Sequence, residues 1–286
     1  MSKIEKALEK AVQMRETKKE SIPDEVIASD NRAPVHQFQV GEAVIDTTRV
    51  DGHIVCITDP LSSASEQFKK LKARILNETT KQDFLNTIMV TSSDIGEGKS
   101  IVAINLAIVL SHEIDHTVLL IDADLRNPSI HKYFGIEPEF GLSDYLTGKV
   151  NLADIFIKTG LGKLVLIPAG NIVDNSAELL SSEKMKLLVR DLKLRYRDRY
   201  IIFDSTPLLV TADPLMLGSY MDGIIFVIQE GRTAQKSALQ SFSLIKGWNI
   251  LGVVFNNVPP YLIKSHDYYY YPKKSTNNGK THADMV

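Results

Sequence analysis

The chain has 286 residues, with 33 lysines and arginines set against 35 aspartates and glutamates, a formal net charge of −2. That balance excludes a uniformly basic coat for nucleic acid, so no nucleic-acid partner is expected. A single cysteine, Cys56, excludes a disulfide framework within the chain and points to an intracellular protein.

The opening MSKIEKALEKAVQMRE is charged throughout and does not read as a signal peptide. Ser2 and Glu5 have capping-box spacing, and Ile4, Ala7, Leu8, Ala11 and Val12 fall on one face, which predicts a short helix. A helix of that length is marginal alone, so it is expected to dock on a partner or on the main domain. Residues 20–50 carry two prolines and no sustained period, and read as a linker with short strand pieces. Ser63 and Glu66 form a second capping box. Ala64, Phe68, Leu71 and Ile75 follow at helical spacing, predicting a helix over 63–77.

From Thr87 onward, apolar runs of strand length recur: IMV (88–90), VLLI (118–121), LVLI (164–167), YIIF (200–203), IIFVI (224–228) and ILGVVF (250–255). They are continuous rather than alternating, so both faces of each strand are expected to be buried. Helix-like segments such as 101–110 and 184–196 lie between them. Such alternation predicts an α/β fold, a doubly wound, mainly parallel sheet with helices on both faces. After Ile263 the chain turns polar and tyrosine-rich, with too few aliphatic residues to bury, and is expected to be mobile. The expected organisation is a helix and linker over 1–60, a nucleotide-binding domain over 61–263, and a tyrosine-rich tail over 264–286. No run approaches the ~20 apolar residues that cross a bilayer.

The segment TIMVTSSDIGEGKSIVAINLAIVL places a strand, a glycine loop and a helix in the order a phosphate loop requires. Gly96 and Gly98 allow the tight turn, Lys99 reaches the β- and γ-phosphates, and Ser100 offers a hydroxyl to Mg2+. The nucleotide-binding set is read as Gly96, Glu97, Gly98, Lys99, Ser100 and Ile101. Ser93 stands where the general pattern has its first glycine. VLLIDADLRNP puts Asp122 and Asp124 at the end of one strand, and YIIFDSTPLL puts Asp204 at the end of another. Ligands bind at the carboxyl ends of parallel strands, so all three converge on the phosphate loop. Asp204 is assigned to the Mg2+ shell. Asp122 is assigned to the metal and to accepting the proton of an attacking hydroxyl, and Asp124 and Arg126 to positioning.

TSSDIGEGKS, VLLIDADLRNP and IIFDSTPLL resemble the Walker A, A′ and B motifs of the bacterial tyrosine kinases, which regulate polymerisation and export of capsular and exopolysaccharides. The resemblance covers about residues 60–272. The opening MSKIEKALEKA is similar to the soluble tyrosine autokinases of exosortase-type exopolysaccharide loci. The resemblance implies a P-loop NTPase fold, Lys99 and Ser100 on ATP–Mg2+, and Asp122, Asp124 and Asp204 in the active centre. It also implies phosphorylation in trans of a C-terminal tyrosine cluster within a ring-like oligomer. Tyr261, Tyr268, Tyr269, Tyr270 and Tyr271 fit that cluster, being five of the chain's ten tyrosines within its last 26 residues. Each added phosphate brings about −1.5 to −2 charges, enough to drive a switch from docked oligomer to released monomer.

The family's oligomerisation motif, E-x-x-R-x-x-R, reads Glu66, Lys69 and Lys72 here. Lysine keeps the charge and loses the bidentate fork, so self-association is expected to be weaker. Asn256 follows the last core strand, where relatives of this fold recognise adenine. A membrane-embedded polysaccharide co-polymerase is implied as activating partner, with the chain cytoplasmic or held at the inner face of the membrane through it. The alternatives are an ATP-binding regulatory subunit that signals by docking its tail, and a surface-organising ATPase of the partition type. The latter carries a signature lysine where this chain has Asp94.

Overall fold

The computed structural model describes residues 41–42, 45–81, 84–195 and 198–259. The predicted N-terminal helix and the tyrosines at 261 and 268–271 lie outside them. Among the described residues, eight strands form one sheet: β1 (Gly41–Glu42), β2 (Thr87–Ser92), β3 (Thr117–Asp122), β4 (Ile157–Lys158), β5 (Leu164–Ile167), β6 (Arg199–Asp204), β7 (Gly223–Gln229) and β8 (Ile250–Asn256). Their order is β1-β4-β5-β3-β6-β2-β7-β8. From β5 to β8 every neighbouring pair is parallel, and β4 turns antiparallel to β5. The six apolar runs seen in the sequence are the six strands of that parallel block.

Helices cover both faces. Helices α1 (Val55–Thr58), α2 (Ser63–Thr79) and α3 (Lys99–Ser111) supply one core together with Val118, Leu120 and Ile202 of the sheet. The opposite core holds Leu119, Ile121, Ile201 and Phe203. Of the helices that follow, α4 (Ile130–Phe134) sets Ile130 and Phe134 into the first core, and α5 (Leu142–Leu146), α6 (Ser176–Leu180) and α7 (Glu183–Arg195) pack against the opposite one. Successive strand residues thus point into opposite cores, which is why the runs carry no polar alternation. Two further helices, α8 (Asp213–Gly218) and α9 (Gln235–Leu244), lie beside β7 and β8.

β8 departs from the expectation of two buried faces. It is the last strand of the sheet, and Ile250, Val253 and Phe255 are 38%, 43% and 60% exposed. An apolar run records strand propensity and does not record what will cover it. Helix α2 starts at Ser63 as read, but its cap is Ser62 rather than Ser63: the Ser62 hydroxyl accepts from the Ser65 amide at 3.1 Å, and Glu66 sits in the first turn. The stretch read as the end of the linker lays Ile45, Val50 and Ile54 into the core. Its turn there is fixed by Asn105 of α3, whose side chain accepts from the Cys56 amide and donates to the His53 carbonyl. Between the first turn and Ser111, Asn105 is the one polar residue on a helix otherwise apolar all round, as expected for one sandwiched between sheet and α2.

The backbone approaches itself most closely where α5 begins. A Cβ on Gly141 would lie 2.1 Å from the Gly170 nitrogen and 2.4 Å from the Pro168 oxygen. Leu142 and Ser143 donate across the same contact to Pro168 and Ala169. Gly141→Ala is therefore expected to lower stability by about 2–4 kcal/mol, read as a lower urea midpoint with unchanged slope.

Candidate active site

β2 lies between β6 and β7, and the chain leaves its carboxyl end into the loop 93–98. Gly96 and Gly98 adopt φ of +78° and +91°, which only glycine holds without strain. Gly98 has a second reason to lack a side chain: a Cβ there would fall 1.9 Å from Nδ2 of Asn256. The loop delivers the chain into α3, with Lys99 and Ser100 in its first turn.

β3 and β6 are adjacent, and their register pairs Asp122 directly with Asp204. This places the two carboxylates side by side at neighbouring strand ends. Lys99 reaches over them, its Nζ 3.2 Å from Asp124 Oδ2, 3.9 Å from Asp204 Oδ1 and 3.3 Å from Ser100 Oγ. The four predicted catalytic residues, Lys99, Asp122, Asp124 and Asp204, are thus brought together with Ser100.

The carboxylates differ in how they are satisfied. Asp122 accepts from the Asp124 amide at 3.2 Å, from Ser129 at 3.2 Å and from Ile130 at 3.1 Å, so it shapes the β3–α4 turn as well as facing the site. Asp124 accepts from the Asn127 amide at 2.9 Å and holds Lys99 with its other oxygen. Asp204 is fully buried, and its oxygens make no hydrogen bond of ordinary geometry; Lys99 Nζ at 3.9 Å and the Ser100 hydroxyl are the groups that face it. Burial, then the neighbouring Asp204 charge, pushes the Asp122 carboxyl up to about 8. Burial pushes Asp204 up to about 6, with Lys99 opposing. Lys99 itself is desolvated, yet the charges of Asp204 and Asp124 more than offset this and hold its ammonium above the usual lysine range.

An orphaned, buried carboxylate beside a serine hydroxyl at the foot of a glycine loop fits a hard cation that completes its shell with water and phosphate oxygens. Among the described residues no group of three or more His, Cys, Asp or Glu side chains forms a ready metal cage.

The remaining predicted residues fall as follows. Glu97 is 1% exposed, and its carbonyl accepts from Asn256 Nδ2 at 3.0 Å, so Asn256 packs on the phosphate loop from the end of β8. Ile101 lies in the first turn of α3, its carbonyl accepting from Asn105 at 2.9 Å. On α2, Lys69 pairs with Glu66 at 3.1 Å, and Lys72 reaches Glu113, just past α3, at 2.5 Å. Arg126 turns to Asp213 of α8 at 3.2 Å. Asp213 is wholly buried and also takes the Ser176 hydroxyl at 2.6 Å, locking the β3–α4 turn to α6 and α8. Sequence reasoning missed Asp213 and Ser176; the only local signal was an acid before a proline at a helix start, which marks many helices without a site. Asp94 stands where a partition-type loop needs lysine, and its amide donates to Glu97 Oε2 at 3.0 Å.

Residues 83–166 match the family model described as ParA: NUBPL iron-transfer P-loop NTPase. The tyrosine-protein kinase YwqD of Bacillus subtilis is 34% identical over 229 residues, covering 79% of this chain and 94% of that protein. Among solved structures, the kinase domain of the Escherichia coli tyrosine kinase ETK aligns with a TM-score of 0.67 at 30% identity, covering 72% of this chain and 80% of that one. The chimerical protein CapA2B2 aligns with a TM-score of 0.68 at 25% identity, covering 77% and 94%. Phosphate loop, paired strand-end acids and these similarities agree: the chain belongs to the bacterial tyrosine-protein kinases.

Proposed function

We propose that this kinase binds ATP with Mg2+ at the 93–100 loop and transfers the γ-phosphoryl group to tyrosines of its own C-terminal segment, in trans between subunits. The observation that carries the site assignment is the Asp204 carboxylate, buried 3.9 Å from Lys99 and without a hydrogen bond of ordinary geometry. Ser100 and Asp204, with Asp122 beside them, hold the cation. Bound Mg2+ supplies Lewis-acid stabilisation of the phosphate oxygens. Lys99 carries the positive charge that balances the transferring group as the bond to ADP breaks and the bond to the tyrosine oxygen forms. Asp122 accepts the tyrosine proton as the bond to the tyrosine oxygen forms. Asp124 positions Lys99, and the Gly96–Ile101 backbone with Asn256 frames the nucleotide.

In this reading the kinase domain takes in residues 45–60, whose Ile45, Val50 and Ile54 enter its core, together with 61–263, and the tyrosine-bearing segment 264–286 follows it in sequence. Among the described residues no helix is long and apolar enough to cross a membrane. A membrane-embedded polysaccharide co-polymerase then serves as the partner that recruits and activates the kinase, and polysaccharide polymerisation and export is the process regulated. Self-association through Glu66, Lys69 and Lys72 competes with the contacts those lysines make within the chain, consistent with a weaker oligomer.

Intact-mass spectrometry before and after incubation with Mg2+–ATP tests this. The wild type is expected to gain a ladder of phosphates, and a variant with Tyr268, Tyr269, Tyr270 and Tyr271 all changed to Phe is expected to lose most of it. A wild type that binds ATP and gains no phosphate would refute self-phosphorylation. An undiminished ladder in the variant would move the acceptors elsewhere.

A further inference from the structure

A glycine-rich loop has no ladder of its own to hold its shape, and glycine loses more freedom on ordering than any other residue. Here the shape is imposed from outside. The Ser93 carbonyl accepts from the Leu209 amide, and the Asp94 carbonyl from the Ser92 hydroxyl. The Ile95 carbonyl accepts from Nη2 of Arg232 at 3.1 Å, and the Glu97 carbonyl from Asn256. The carbonyls of Ser93, Asp94, Ile95 and Glu97 are thus each held by a donor outside the loop.

At the centre of this scaffold is the Glu97 side chain. One oxygen takes the Asp94 amide at 3.0 Å and closes the loop on itself. The other takes the Thr233 hydroxyl at 2.5 Å. Thr233 lies between β7 and α9, 136 residues away in sequence, and its hydroxyl oxygen in turn accepts from the Gln229 amide at 2.9 Å. A single hydroxyl therefore joins the carboxylate of the phosphate loop to the end of β7. Next to it the Arg232 guanidinium lies against Gly96, where an added Cβ would come within 2.8 Å of Nη2.

We propose that Thr233, acting through Glu97 and supported by Arg232, is a positioning residue that presets the phosphate loop for the nucleotide. None of the three needs to touch the reacting phosphate for this. The effect is on the reorganisation that binding would otherwise require, so it falls on ground state and transition state alike: affinity changes and turnover at saturation does not. The inference rests on the nucleotide-binding part of the proposed function and not on the identity of the phosphoacceptor.

The test is direct titration of the full chain with a fluorescent ADP in the presence of Mg2+, together with steady-state kinetics in ATP and a thermal melt of each variant. Thr233→Val keeps the shape and deletes the hydroxyl; it is expected to weaken ADP about tenfold and raise the ATP KM similarly, with kcat retained within about twofold. Thr233→Ser restores the hydroxyl and is expected to return affinity to within about twofold of wild type. Arg232→Met alters an exposed side chain, so it should melt as wild type does and bind ADP about threefold more weakly. Wild-type affinity in Thr233→Val, or a Thr233→Ser protein as weak as the valine variant, overturns the proposal. So does a Thr233→Val chain that unfolds or that loses kcat along with affinity, because the hydroxyl would then serve the fold or the chemistry. Arg232→Met binding ADP as wild type removes Arg232 from the brace. ADP titration needs no phosphoryl transfer, so a wild type that binds ADP and forms no phosphotyrosine defeats the kinase assignment while the variant ratios still decide the brace.

Discussion

Lys99→Met is expected to abolish phosphotyrosine formation, with a fall of about 1000-fold or more in turnover measured by phosphate incorporation. Among the described residues the ammonium is the one positive side chain seated among Asp122, Asp124 and Asp204, and it is only 12% exposed. Its loss removes the charge that balances the transferring group. It also leaves buried carboxylates facing each other without compensation, which is costly in a low-dielectric site. Those carboxyls would take up protons in the folded state at a higher pH than in the unfolded chain. The variant's melting midpoint should accordingly be depressed most at pH 8 and recover as the pH is lowered toward 6. Measurable phosphorylation by the methionine variant, made in a host without tyrosine kinases, would show that Lys99 has been given the wrong role.

Asp204→Asn is expected to move activity and stability in opposite directions. Activity should fall about 100-fold or more, since the orphaned carboxylate is the cation's anchor in the proposed site. Stability of the nucleotide-free protein should rise. Burial lifts the Asp204 carboxyl to about 6 in the folded chain, against about 3.9 for an unfolded aspartate. The folded state thus binds this proton more tightly than the unfolded state does, and folding is penalised wherever the group is ionised. The penalty is absent below about pH 4, grows as pH rises, and is complete above pH 6. Asparagine carries no such charge, so the gain should reach at most about 3 kcal/mol at pH 8, several degrees in melting midpoint, and should vanish by pH 4. Lys99 keeps Asp124 at 3.2 Å, so it is not stranded by the change. An Asp204→Asn protein that melts below wild type at pH 8 would show that the carboxylate serves the fold rather than a ligand.

The sequence signal was clearest where it was local, and the structure gathers those residues at neighbouring strand ends. The phosphate loop and the two strand-end acid motifs each occupy a short contiguous stretch, and glycines, lysine and aspartates there have few other reasons to stand in that order. The six parallel strands were visible because a sheet covered on both sides demands unbroken apolar runs. The same logic misjudged β8, whose run is as apolar as that of β7 while its place at the sheet's end leaves Phe255 exposed. The cap of α2 slipped by one because Ser62 and Ser63 are both competent caps and only the backbone angle chooses between them. Thr233, Arg232, Asp213 and Ser176 were illegible for a different reason. Their chemistry depends on partners 136, 137, 87 and 37 residues away, so nothing in their neighbourhoods announces it.

Among the described residues no strand pairs with the outer edge of β8, and that edge bears on how the protein behaves when concentrated. An end strand offers every second backbone N–H and C=O to whatever extended chain comes near, and natural sheets usually blunt that invitation with a lysine, a proline or a bulge facing outward. Ile250–Asn256 contains neither lysine nor proline, and its one irregularity lies at the start of its pairing with β7, away from Val253 and Phe255. Colloidal stability therefore rests on charge elsewhere on a chain whose formal net charge is only −2. Solutions near its isoelectric point of about 6.4 are where edge-to-edge sticking has the least to oppose it.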